Sequence, residues 1–179
     1  MSEETIVRYC APTLSGLKTA SLFTSTYRDR KSLQMDICEL NRILEQGGMH
    51  ASVLGFTQSA ARIYIYRRAM LEKDLSAEKT KEILQLLGYE TDSVDKCLAR
   101  LLERLSEDGF PHEIGLFLGY PVMDVIGFME NRECLFSGLW KVYGNVEETK
   151  QVFAAYDNCT KSYACALAQG KTLQDLIRR

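Results

Sequence analysis

The sequence predicts an α+β fold, in which a small, mainly antiparallel sheet of about four strands packs with several helices. Two observations favour this class. Apolar residues recur at helical spacing in several segments, and two neighbouring segments with strand-like composition are separated by a short turn. Strands and helices alternate too irregularly for a doubly wound sheet. With 46% hydrophobic residues in a chain of 179, we expect a single domain over residues 1–179.

The predicted strands fall at both ends of the chain and in a central hairpin. Two neighbouring segments around a short turn are typical of a β-hairpin. In the second of them, Ile63 and Ile65 face one side of the sheet, and Tyr64 and Tyr66 face the other. The last strand includes Trp140. The four segments are residues 5–9, 51–56, 62–67 and 135–143.

The first two predicted helices each begin at a serine and end at glycine. Ser32 starts the first helix, and Gly47 and Gly48 end it. Ser76 starts the second helix, which Gly88 closes. The first has four apolar residues on one face, as a helix packed on a core requires: Leu33, Ile37, Leu40 and Leu44.

Three further helices are predicted in the second half of the chain. Asp92 starts the third helix, and Asn145 with Glu148 forms a start similar to a capping box for the long fourth helix. Thr172 and Asp175 start a short final helix. The apolar positions are Val94, Leu98, Leu101 and Leu105 in the third helix, and Val152, Phe153, Tyr156 and Tyr163 in the fourth.

Composition excludes several classes of function. The net charge is −2, so no positive field draws the protein to nucleic acid or to anionic lipid. The acidic start of the chain differs from a secretory signal, and no run reaches the ~18 apolar residues of a membrane span. We therefore expect a cytoplasmic protein without membrane or nucleic-acid partners. The cysteines form no C-x-x-C pair, which argues against a metal site and a disulfide framework: Cys10, Cys38, Cys97, Cys134, Cys159 and Cys165.

The segment FPHEIGLFLGYPVMDVIGF at residues 110–128 is the most unusual part of the sequence. It combines glycines, prolines and one of the chain's two histidines with strongly apolar neighbours. Its pattern fits two short helices that pack at an angle around a glycine turn, as in a helix-turn-helix. A recognition helix needs side chains that read bases or phosphates. Residues 121–128 offer none, so DNA binding is disfavoured.

His112 and Glu113 are the candidate catalytic residues of this segment. A histidine can act as a general base because its charge changes near neutral pH. Glu113 would orient the imidazole ring, and Cys10 would be the nucleophile or a ligand. The alternative is that His112 only caps a helix or satisfies a backbone carbonyl.

The segment from Cys10 to Thr19 is the other candidate region. It concentrates a thiol, hydroxyl groups and a lysine after a predicted strand. It is not a phosphate-binding P-loop, because glycine does not precede Lys18 and the first glycine of the motif is absent. Thr13, Ser15 and Lys18 are still candidates for binding a small anionic ligand. A plain polar loop is the alternative.

Three stretches resemble a known family over nearly the whole chain. They are CAPTLSGLKTASLF at residues 10–23, the segment at 110–128, and Gly138 with WKVY at 140–143. Together they resemble an uncharacterised bacterial family, domain of unknown function 3793, found largely in anaerobic Gram-positive bacteria. The resemblance implies that the two unusual segments belong to one module. It implies no reaction, substrate or cofactor.

Two hypotheses for function follow. The first is a small-ligand-binding domain, with possible chemistry dependent on Cys10 and His112, in one polar pocket formed by the 10–18 loop and the His112 segment. The second is a non-enzymatic interaction module in which the helix pair at residues 113–129 contacts a protein partner. That pair would present Leu116, Phe117, Met123 and Ile126. The sequence indicates no metal and leaves the cofactor and the existence of an enzymatic activity open.

Overall fold

The computed structural model describes residues 1–57, 59–106 and 110–177, and it confirms the α+β class. The chain divides into two compact units. The first comprises Met1–Ala69 and Tyr156–Arg179, and the second comprises Met70–Ala155. A three-stranded sheet lies in the first unit and a two-stranded hairpin in the second. The single domain expected over residues 1–179 stays a prediction.

The first unit opens with helix α1, Glu3–Leu14, where a strand was predicted over residues 5–9. Ser2 caps this helix by accepting a hydrogen bond from the backbone N–H of Thr5. The strand prediction is wrong because the buried apolar residues follow the helical period over three turns, which a five-residue window does not reveal. These residues are Ile6, Val7, Cys10, Ala11 and Leu14.

The sheet of the first unit consists of β1 (Ala20–Thr26), β2 (Met49–Phe56) and β3 (Ala60–Arg67). Strand β3 lies in the centre and pairs antiparallel with both neighbours. The predicted hairpin of β2 and β3 is confirmed. Ile63 and Ile65 lie in the hydrophobic core, and the alternate residues Tyr64 and Tyr66 stack with ring centroids 5.1 Å apart. Strand β1 was not predicted, because four of its seven residues are serine or threonine.

Helix α2, Arg30–Leu44, packs on this sheet and confirms the helix that was predicted to start at Ser32. Its cap is Asp29 rather than Ser32: the Asp29 carboxylate accepts a hydrogen bond from the Ser32 N–H at 2.8 Å. A 3-10 turn follows at Glu45–Gly47, and Gly48 ends it with φ of 64°. The core of the unit joins α1, α2 and the sheet. From α2 it takes Leu33, Leu40 and Leu44.

A buried arginine at the end of β3 closes the C-terminus of α1. The guanidinium of Arg67 donates to the carbonyl oxygens of Thr13 and Leu14, both at 2.6 Å. It also donates to the carbonyl of Gly47 at 3.1 Å. Carbonyl groups at a helix C-terminus lack partners within the helix and carry partial negative charge, so a cation stabilises them. Arg67 therefore ties the loop after α1 to the sheet.

The second unit is mostly helical. The predicted continuous strand over residues 135–143 is wrong: this segment forms a hairpin that turns where Gly138 N–H donates to the Trp140 carbonyl. The helix predicted to start at Ser76 begins instead at Glu78, after a separate helix that ends at Ser76. The elements are α3 (Arg68–Ser76), α4 (Glu78–Leu86), α5 (Val94–Ser106), α6 (Ile114–Phe117), α7 (Val122–Met129), β4 (Phe136–Ser137) and β5 (Lys141–Val142).

The last two helices confirm their predicted starts. Helix α8, Val146–Ala168, begins after Asn145, whose side chain accepts a hydrogen bond from the Glu148 N–H at 3.2 Å. Helix α9, Leu173–Leu176, opens with a capping box between Thr172 and Asp175. In the described part of the chain, no helix is both long and apolar enough to cross a membrane.

Candidate functional site

The unusual segment of the sequence encloses a cavity of about 300 Å³ in the second unit. We call it the aromatic cavity, because four aromatic side chains line it: Phe110, Tyr120, Phe128 and Trp140. Three polar side chains also reach it, from His112, Asp124 and Lys141. Helices α6 and α7 and the β4–β5 hairpin supply most of this lining, and Phe110, His112 and Tyr120 lie before α6 or between α6 and α7. The two short helices around a turn, expected from the sequence, are thus confirmed and form its walls.

Asp124 holds the hairpin against α7. The Asp124 side chain accepts from the indole Nε1–H of Trp140 at 2.8 Å, and from the backbone N–H groups of Tyr143 and Gly144 at 2.7 and 2.9 Å. Because the residue is only 3% exposed, these donors replace the water that a carboxylate otherwise needs. Asp124 therefore fixes the position of Trp140 in the cavity wall.

Two glycines of the segment allow its parts to pack closely. A methyl group on Gly115 would lie 2.8 Å from Cγ2 of Val125, so glycine lets α6 approach α7. A methyl group on Gly127 would overlap the ring of Tyr143, so glycine there lets the hairpin approach α7. Carbon atoms at such distances repel strongly. Gly115 and Gly127 are therefore needed to bring the cavity walls together.

The aromatic rings pack on one another in fixed geometry. Tyr120 stacks on Trp140 with ring centroids 4.5 Å apart. Phe153 lies edge-on to Trp140 at the same centroid distance. At the opening, the His112 ring lies edge-on to Phe128 at 4.8 Å, and the Lys141 ammonium lies 5.5 Å from the same ring centroid. Burial raises the pKa of Tyr120, so its phenol stays neutral. The cavity wall is therefore rigid, largely apolar and basic at its opening.

Glu113, expected to orient His112, instead belongs to a buried polar network. It is 2% exposed, accepts a hydrogen bond from the Tyr89 hydroxyl at 2.9 Å and pairs with Arg104. Burial alone would raise the pKa of Glu113, but the hydrogen bonds from Arg104 and Tyr89 outweigh burial and lower it. Glu113 is thus an ionised structural group that holds the start of α6.

The candidates of the other segment lie in the first unit. Cys10 is fully buried in α1. Burial raises the pKa of its thiol to about 12, although a hydrogen bond from Ser21 and the charge of Lys18 act in the opposite direction. Burial likewise lowers the pKa of Lys18 to about 8. The structure therefore brings Cys10 and Lys18 near one another. A buried, protonated thiol is a poor nucleophile, so this environment argues against that role for Cys10.

The hydroxyl groups of this segment are engaged with protein atoms. Thr13 is buried, and its hydroxyl bonds to that of Ser21 at 2.9 Å. The Ser15 hydroxyl donates to the carbonyl of Pro12 at 2.9 Å, which helps to end α1. Cys10 and His112 belong to different units, and a pocket shared by them stays a prediction.

Part of the surface that was predicted to contact a protein partner is buried. Leu116 and Phe117 are 2% and 0% exposed, so they belong to the interior of the second unit. Met123 remains 45% exposed. Two of the four side chains that were predicted to contact a protein partner are therefore buried and cannot contact it.

Sequence reasoning missed Trp140 and Lys141 as site residues. One signal pointed to them: Trp140 is the chain's single tryptophan, and it stands beside a lysine in a segment of the family resemblance. Asp124 and Phe128 lay inside the unusual segment without an assigned role. In the described residues, no group of three or more His, Cys, Asp or Glu side chains is arranged to hold a metal ion.

The fold and the cavity define a small α+β protein with a preformed aromatic pocket in its helical unit. The model of the family described as "Protein of unknown function (DUF3793)" matches residues 6–177. The chain therefore belongs to this family. No curated protein and no solved structure matches the chain.

Proposed function

We propose that this protein binds a small, planar, largely apolar molecule in the aromatic cavity of its second unit. The observation that carries the proposal is the cavity itself: about 300 Å³, lined by four aromatic residues and a few polar groups. Sites for small molecules in proteins have this size and this character, with few polar groups that orient the ligand. The proposal keeps the ligand-binding function predicted from the sequence and assigns it to residues of the second unit.

Preorganisation supports binding at this place. The Trp140 ring is held by a hydrogen bond to Asp124 and by stacking on Tyr120. Side chains that are already immobile lose little entropy when a ligand arrives. Flat apolar ligands gain both burial and ring contacts from such walls, since aromatic pairs contribute about 0.5–1.5 kcal/mol beyond area burial.

The test is a titration with N-phenyl-1-naphthylamine, a neutral fluorescent probe with two aromatic ring systems. Because Trp140 is the only tryptophan, selective excitation of the indole measures energy transfer from that residue to the bound probe. We expect one saturable site. In the variant Phe128→Ala we expect about tenfold weaker binding, from a lost ring contact of about 1.4 kcal/mol.

Phe56→Ala is the matched control. Phe56 is 43% exposed and Phe128 36%, but Phe56 lies on β2 in the first unit. Phe56→Ala should bind the probe as the parent protein does. Absence of saturable binding, or equal losses in the two variants, would contradict the proposed function.

A further inference from the structure

We infer that the ligand of the aromatic cavity carries one anionic group, which Lys141 and His112 bind at the cavity opening. This inference rests on the proposed function and specifies the class of ligand. Both basic side chains are exposed. They lie within 6 Å of the same ring centroid, that of Phe128. Both side chains are therefore neighbours of a ligand that contacts the Phe128 ring.

The hairpin holds the backbone of Lys141 in place. It is the first residue of β5 and pairs in register with Ser137 of β4. Within residues 1–57, 59–106 and 110–177, its ammonium forms no ion pair, and the His112 ring forms no hydrogen bond. A bound anion would supply the partner that these donors otherwise find in water.

In the described part of the chain, the carboxylate of the cavity forms no ion pair with Lys141. Among the lining residues that the structure describes, Asp124 is the one carboxylate. Its oxygens already accept three hydrogen bonds, from Trp140, Tyr143 and Gly144. The Lys141 ammonium and the N–H of the His112 ring are the donors at exposed positions of the lining, and they favour an acceptor-rich, negatively charged group.

An organic cation is the competing class of ligand, because aromatic cavities bind quaternary ammonium groups through cation–π attraction. Here the Lys141 ammonium already lies over the Phe128 ring at 5.5 Å. A second cation at that ring would be repelled by it. The arrangement therefore favours an anion.

The experiment compares two probes that share their ring systems. N-phenyl-1-naphthylamine is neutral, and 8-anilinonaphthalene-1-sulfonate carries one negative charge. In the variant Lys141→Met we expect about fivefold to tenfold weaker binding of the sulfonate and less than a twofold change for the neutral probe. His112→Gln should weaken the sulfonate by about threefold. Added NaCl should weaken the sulfonate alone, because salt screens exposed charges.

Lys150→Met is the matched control. Lys150 is also an exposed lysine of the second unit, 5.4 Å from the ring centroid of Phe136, and it pairs with Glu147. It does not line the aromatic cavity. Lys150→Met should leave the affinity for both probes unchanged.

The outcomes separate the two claims. If the neutral probe binds but Lys141→Met weakens neither probe, or weakens both equally, the anionic class is wrong and the proposed function stands. Displacement of the neutral probe by tetramethylammonium, without binding of the sulfonate, would also overturn the inference in favour of a cation. If neither probe binds the parent protein, the proposed function itself fails.

Discussion

Replacing Asp124 with alanine is expected to lower the free energy of unfolding by about 3–5 kcal/mol and to abolish binding in the aromatic cavity. The substitution removes the acceptor for three hydrogen bonds, two of which hold the backbone of the hairpin. A donor left unpaired in a buried place costs about 1–3 kcal/mol. Urea denaturation followed by circular dichroism measures the loss.

A second aspartate provides the control for this prediction. Asp157 lies on α8 and pairs with Lys161 at the surface, where its side chain is 60% exposed. Exposed ion pairs contribute about 0.2–1 kcal/mol, so Asp157→Ala should change stability by less than about 1 kcal/mol. Equal effects of the two substitutions would mean that Asp124 does not hold the hairpin on α7.

The variant Glu113→Gln is expected to lose about 3 kcal/mol of stability, because it removes the negative charge that pairs with Arg104 in a mostly buried place. The Tyr89 hydroxyl can still donate to the amide oxygen, so the loss should be smaller than for alanine. Glu147→Gln is the matched control: Glu147 pairs with Lys150, and its side chain is 79% exposed. It should change stability by less than about 0.5 kcal/mol.

The dependence of stability on pH separates the effect of the Glu113 charge from the effect of its side-chain shape. The folded protein holds the pKa of Glu113 below 4.5, its ordinary value. Below pH 4.5 the unfolded chain therefore takes up a proton at this residue before the folded chain does, and stability falls. Glutamine does not titrate. The difference in stability between parent and Glu113→Gln should be constant above about pH 6 and shrink as pH falls through the folded pKa. A difference that is independent of pH would contradict the role of the charge.

Local patterns in the sequence predicted much of the fold. The β2–β3 hairpin, the helix after Asp29 and the capped starts of α8 and α9 all follow from residues within a few positions of one another. The errors arose where a short window fits two structures. Residues 5–9 resemble a strand, and only the burial of Cys10 and Leu14, one and two turns after Ile6, shows the helix.

The candidate site was harder to predict because its contacts span long distances along the chain. Asp124 meets Trp140 sixteen residues away, and Glu113 meets Tyr89 twenty-four residues away. No spacing rule within a helix or a strand indicates such pairs. The residue types at 10–18 suggested reactivity, but the buried setting of Cys10 depends on how α1 packs. The unusual composition of residues 110–128 correctly marked the region of the cavity and did not identify which side chains line it.

A small planar molecule bound beside Trp140 would change the surroundings of the indole ring. The chain's single indole N–H gives one side-chain cross-peak in a ¹H–¹⁵N spectrum of the labelled protein, so this cross-peak reports binding at that place. Titration with N-phenyl-1-naphthylamine is predicted to shift that cross-peak until it saturates at one equivalent, in the parent protein and in Phe56→Ala alike. An indole cross-peak that stays in place while the probe binds elsewhere would contradict the account.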